Sequence, residues 1–157
     1  MDKINTIVCI DQATKISGYS VFKGKNLVTY GLLTANADEK NPIERMKEMI
    51  EKIEVLLKDV KPDYVAFEQV QYQSNLGVFQ QLSQLQGVIM SRLFDRDIGF
   101  TLIEPTAWKA FCGIRGKKRD EQKLNTIKFV KEKYGINVPE DIADAIGIGY
   151  WAINNLK

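Results

Sequence analysis

"INTIVCIDQATKISGYSVFKGKNLVTYGLLTA" (residues 4–35) decides the fold. Its first part, "INTIVCID", is mostly apolar and alternates little, the pattern of a central strand, and it ends near Asp11. "SGYSVFKG" and "NLVTYGLLTA" follow at hairpin spacing, with the polar turn "KGKN" between them. Three strands therefore open the chain as an antiparallel meander. Next, "NPIERMKEMIEKIEVLLKDVK" (41–61) sets Ile43, Met46, Ile50, Ile53 and Leu57 on one helical face, with Pro42 at its start and Pro62 marking its end. "DYVAFEQV" (63–70) is a short β-rich run ending near Glu68. "SNLGVFQQLSQLQGVIMSRLF" (74–94) predicts a second helix with the stripe Val78, Leu82, Leu85, Ile89 and Leu93. Phe79, Met90 and Phe94 widen that stripe, so this helix has to bury two faces, one on the sheet and one against a second subunit.

"IGFTLIE" (98–104) is a fifth strand. "PTAWKAF" (105–111) begins a short helix at Pro105. "CGIRGKKRDEQ" (112–122) reads as a basic loop, "KLNTIKFVKEKYG" (123–135) as a helix stopped by Gly135, and "PEDIADAIGIGYWAI" (139–153) as the last helix. The order β-β-β-α-β-α-β-α-α-α predicts an α/β fold: a five-stranded mixed sheet, three antiparallel strands and then two parallel, flanked by helices. With 157 residues and a 45% apolar fraction, one domain over residues 1–157 is expected.

Composition narrows the chemistry. There are no histidines, which excludes Ser-His and Cys-His catalysis and His-ligated zinc. Two cysteines make no disulfide framework, and a reducing cytoplasm follows as the expectation. The start "MDKINTIVCI" lacks the basic-then-apolar build of a signal peptide. No apolar run nears the ~20 residues that span a bilayer, so a soluble protein without a membrane partner is expected. Between residues 109 and 133, nine Lys or Arg stand against three Asp or Glu, in a chain whose formal net charge is only +2. That concentration suggests a polyanion partner.

Three acidic sites, holding four residues, stand out. Asp11 ends the first strand, Glu68 ends the fourth, and Asp141 and Asp144 share one face at the start of the last helix. Three of the acids have a plain structural use, since Asp141 complements the helix dipole, Asp11 caps a turn and Glu68 is exposed at a strand end, whereas Asp144, ahead of an apolar run, has no obvious structural partner. Together they mean more, because sites in open α/β sheets gather at the carboxyl ends of strands. If strands one and four are neighbours, these acids converge. Crowded carboxylates raise one another's pKa unless a cation intervenes, and hard oxygen donors select Mg²⁺ or Mn²⁺. Two divalent ions balance four carboxylates, as in two-metal phosphodiester cleavage.

The blocks "CIDQATKISGYSVF", "DYVAFEQVQY", "PTAWKAFCG" and "DIADAIGIGYWA" resemble, in order, those of the RuvC-type Holliday junction resolvases of the RNase H-like (retroviral integrase) superfamily. The resemblance covers nearly the whole chain and is strongest to the phage-encoded branch, which would place the protein in the host cytoplasm. It implies that Asp11, Glu68, Asp141 and Asp144 bind two Mg²⁺ ions, with Mn²⁺ as a substitute. It further implies a homodimer that nicks two strands of like polarity in a four-way junction, and branched DNA more widely, forks and flaps included. Lys109 matches a family lysine that contacts the scissile phosphate or stabilises transition-state charge. A second family lysine corresponds to Lys117, Lys118 or Arg119 in the basic loop, where Arg115 also offers a DNA contact. Ala13 replaces a usual glycine. Gln71 occupies the place of an aromatic that stacks on an unpaired base, and the adjacent Tyr72 is the candidate substitute. Three other functions use related folds. RNase H-type cleavage of RNA–DNA hybrids and a non-cutting junction-binding dimer are alternatives. An actin-like ATPase needs two such domains, and 157 residues are too few.

Overall fold

The computed structural model describes residues 3–36 and 40–156. Strands β1 (Thr6–Asp11), β2 (Ile16–Lys23) and β3 (Asn26–Thr34) form the meander, and helix α1 (Pro42–Val60) leads to β4 (Tyr64–Glu68). Helix α2 (Leu76–Asp95) connects to β5 (Gly99–Ile103), followed by α3 (Pro105–Phe111), α4 (Arg119–Tyr134) and α5 (Glu140–Asn155). The sheet order is β3-β2-β1-β4-β5. The first three strands are antiparallel, and β4 and β5 run parallel to β1. This is the mixed sheet that the sequence predicts. Lys23 pairs with Asn26, so Gly24 and Lys25 form a two-residue hairpin turn, with Gly24 at φ 60°.

Strand alternation sorts the sheet into two packed faces. Val8, Ile10, Val65 and Phe67 point toward α1 and α2, joining Met49, Ile53, Leu85 and Ile89. Ile7, Cys9 and Ala66 point the other way, toward α5, joining Trp108, Ala143 and Ile146. Asp11 and Glu68 have the parity of Cys9 and Ala66, so both acids face α5. Among the described residues, no helix is long and apolar enough to cross a membrane.

Three local expectations need correction. The buried stripe of α1 is Met46, Met49, Ile53, Leu56 and Leu57, while Ile43 is exposed. The helix is thus rotated toward Met49 and Leu56, because its core contacts start a turn later than Pro42. On α2, Val78 is exposed, and the buried set begins at Leu85 and includes the polar Gln86. Helix α4 starts at Arg119 rather than Lys123. Asp120 and Glu121 favour a helix N-terminus, although Lys118 at the cap makes no side-chain hydrogen bond that would have marked the boundary.

Candidate active site

The four acids meet because α5 comes very close to the sheet. Asp11 is paired with Gly18 of β2. A Cβ on Gly18 would overlap the backbone carbonyl of Asp141, so the first turn of α5 sits directly on that glycine. Ser20 Oγ donates to the carbonyl of Ala145 at 2.7 Å, fixing the next turn. On the other side of β1, Glu68 ends β4 in register with Ile103 of β5.

Asp11, Glu68, Asp141 and Asp144 all line one cavity of about 680 Å³. Their electrostatics show the crowding. Burial holds the carboxyl of Asp11 well above its ordinary range, and the charges of Asp144, Glu68 and Asp141 push the same way against Lys109. Asp144 is pushed up to about 7, first by burial and then by Glu68, again opposed by Lys109. Burial also raises Glu68, offset by a hydrogen bond from Trp108 and by the charges of Lys109 and Arg119. Asp141 is raised by burial and by Glu140, with Lys123 opposing.

The donor set suits a hard divalent cation. It consists of carboxylate oxygens alone, with more negative charge than Lys109 and Arg119 can neutralise. Among the described residues, no three His, Cys, Asp or Glu side chains are gathered closely enough to hold a metal ion by themselves. Mg²⁺ is usually bound through one or two carboxylates plus water and substrate phosphate, so it does not need a cage made of protein ligands alone.

The basic candidates separate in space. Lys109 and Arg119 line the cavity, whereas Arg115, Lys117 and Lys118 fall outside its lining. Lys109 Nζ donates to Gln122 Oε1 at 3.4 Å, and Gln122 Nε2 donates to the carbonyl of Gly116 at 2.9 Å, tying the basic loop to the site lysine. Tyr72 also lies outside the lining. It packs edge-on against Phe79, with centroids 5.7 Å apart, and Phe79 is the aromatic that lines the cavity.

Sequence reasoning missed several lining residues. Gln122, Lys123 and Thr126 stand at i+3, i+4 and i+7 from the candidate Arg119, a spacing that would have revealed them had α4 been started there. Trp108, whose indole N–H donates to Glu68 Oε2 at 2.7 Å, carried no local signal.

Comparison with known proteins gives concordant matches. The family model described as crossover junction endodeoxyribonuclease RuvC matches residues 7–151. A crossover junction endodeoxyribonuclease RuvC of Fusobacterium nucleatum is 30% identical, over 96% of this chain and 80% of that protein. Among solved structures, Thermus thermophilus RuvC in complex with a Holliday junction substrate superposes with a TM-score of 0.73 at 16% identity, covering 96% of each chain. The yeast mitochondrial Holliday junction resolvase superposes with a TM-score of 0.66 at 14% identity, over 98% of this chain and 79% of that one. At these identities the two structures bear on the fold.

Proposed function

The chain belongs to the RuvC family of crossover junction endodeoxyribonucleases, and on that premise we propose that it resolves Holliday junctions by metal-dependent hydrolysis of DNA phosphodiesters. The observation that carries this reading is that four carboxylates line one cavity together with Lys109 and Arg119. Asp11, Glu68, Asp141 and Asp144 would hold two Mg²⁺ ions, or Mn²⁺ in their place. Bound there, the ions would supply Lewis-acid stabilisation of the phosphate and lower the pKa of an attacking water.

The protein's own cations complete the site. Lys109, on α3, lines the same cavity and its charge opposes the upward shifts of Asp11, Glu68 and Asp144; there it would neutralise charge developing on a non-bridging phosphate oxygen. Arg119 offers a planar fork that suits a phosphate, and Gln73 Oε1 accepts from its Nη1 at 3.3 Å until DNA arrives. Arg115, Lys117 and Lys118, beyond the cavity, would meet the DNA backbone further along an arm.

Residues 1–157 act as one nuclease domain in this reading, working in the cytoplasm as a homodimer. Leu76 and Phe94, large apolar side chains exposed on one side of α2, support that helix as the dimer contact. The test is a panel of labelled four-way junctions, forks, flaps, duplex, single strands and RNA–DNA hybrid, each with Mg²⁺. Paired nicks in the junction are expected. Preferential cleavage of the hybrid, or junction binding without nicks in both Mg²⁺ and Mn²⁺, would overturn the proposal.

A further inference from the structure

We propose that Trp108 is a positioning residue for the metal-binding acids and that its indole reports divalent cation at Glu68. This rests on the reading of Glu68 as a metal ligand. The side chain has 0% exposure, so its N–H requires an internal partner. That partner is a site acid, Glu68 Oε2 at 2.7 Å.

An indole N–H donates and cannot accept, so it favours the ionised carboxylate and fixes which oxygen remains turned to the cavity. The same ring touches two other parts of the site. Lys109 Nζ lies 5.6 Å from its centroid, within cation–π range. Gly147 of α5 sits against its edge, where a Cβ would come within 2.5 Å of the ring. One rigid side chain therefore bridges the strand carrying Glu68, the helix carrying Lys109 and the helix carrying Asp141 and Asp144. Partners that orient metal-binding carboxylates typically change metal affinity 10–100-fold when removed.

The experiment uses three variants of the full chain. The protein has two tryptophans, so Trp151→Phe leaves Trp108 as its sole fluorescent indole. Titrating Mn²⁺ should shift or quench that emission in a saturable way, and adding Glu68→Gln should abolish the response. Trp108→Phe keeps an aromatic ring in the slot and removes the donor. Its calorimetric Mn²⁺ dissociation constant should rise about 10–100-fold, with cleavage largely restored at high Mn²⁺. Wild-type Mn²⁺ affinity in Trp108→Phe, or emission that ignores Mn²⁺, overturns the proposal. If Trp108→Phe does not fold, the emission titration decides alone. A protein that binds Mn²⁺ through this signature yet leaves junctions intact would retain the positioning role and lose the resolvase reading; junction cleavage without the signature would do the reverse.

Discussion

The two faces of the sheet are packed by different means. Toward α1 and α2 the strands present Val8, Ile10, Val65 and Phe67, and the helices answer with Met49, Ile53, Leu85 and Ile89. Large side chains hold those helices off, and the interface is filled by volume. Toward α5 the face is mixed: Phe22 fits against Gly149 and Trp108 against Gly147, while beside the acids Gly18 and Ser20 meet the backbone carbonyls of Asp141 and Ala145. There the backbones come nearly into contact. A volume-filled interface can repack around a changed side chain, but one set by backbone approach has nothing flexible to move. The acids belong to the second kind of face, so their geometry is fixed by positions that tolerate almost nothing.

Gly18→Ala should break this contrast most severely. The added methyl meets the carbonyl of Asp141, and we expect a loss of about 3 kcal/mol in denaturant unfolding together with loss of junction cleavage. Wild-type stability in this variant would refute the close approach. Asp144→Asn separates chemistry from folding. Removal of a ligand should exceed the effect of removing its supporting partner, so cleavage should fall at least about 100-fold.

The same substitution should stabilise the metal-free protein at pH 8. Asp144 has a folded-state pKa of about 7, above its unfolded value near 3.9. The fold therefore binds that proton more tightly, and the resulting stability is complete below about pH 4 and is lost as pH rises through about 7. The gain from Asp144→Asn, read as Tm in EDTA, should shrink as pH is lowered from 8 to 4. By the same linkage, Mg²⁺ should raise the wild-type Tm more at pH 8 than at pH 6. An equal shift at both would argue against carboxylate ligation. Met49→Leu, on the volume-filled face, should have the smallest effect: under about 1.5 kcal/mol, with cleavage unchanged.

Much of this was legible from local pattern. β1 reads as a central strand because both its faces are apolar, and Asp11 marks the point where that apolar run stops. Pro42 and Gly135 mark a helix start and a helix end through backbone constraints that act within a few residues. The misread features lacked such local causes. Nothing near Ile43 reveals that α1 meets the sheet only from Met46 onward. The sequence "KKRDEQK" looks like a charged loop, and only helical spacing from Arg119 shows that Gln122 and Lys123 share its face. Tyr72, the candidate stacking aromatic, stands exposed beside the cavity, and no local pattern shows that Phe79, seven residues later on the next helix, lines it.

What the sequence by itself determined is the list of strands, their two-residue alternation and the placing of acids at strand ends, since all three follow from short-range periodicity. The tertiary structure decided which residues serve those acids. Trp108 reaches Glu68 across 40 positions and Gly18 receives Asp141 across 123, through contacts that exist only once α5 has settled on the sheet. No local pattern encodes such pairs, because the energy that selects them is the close packing of backbones brought together by the completed fold.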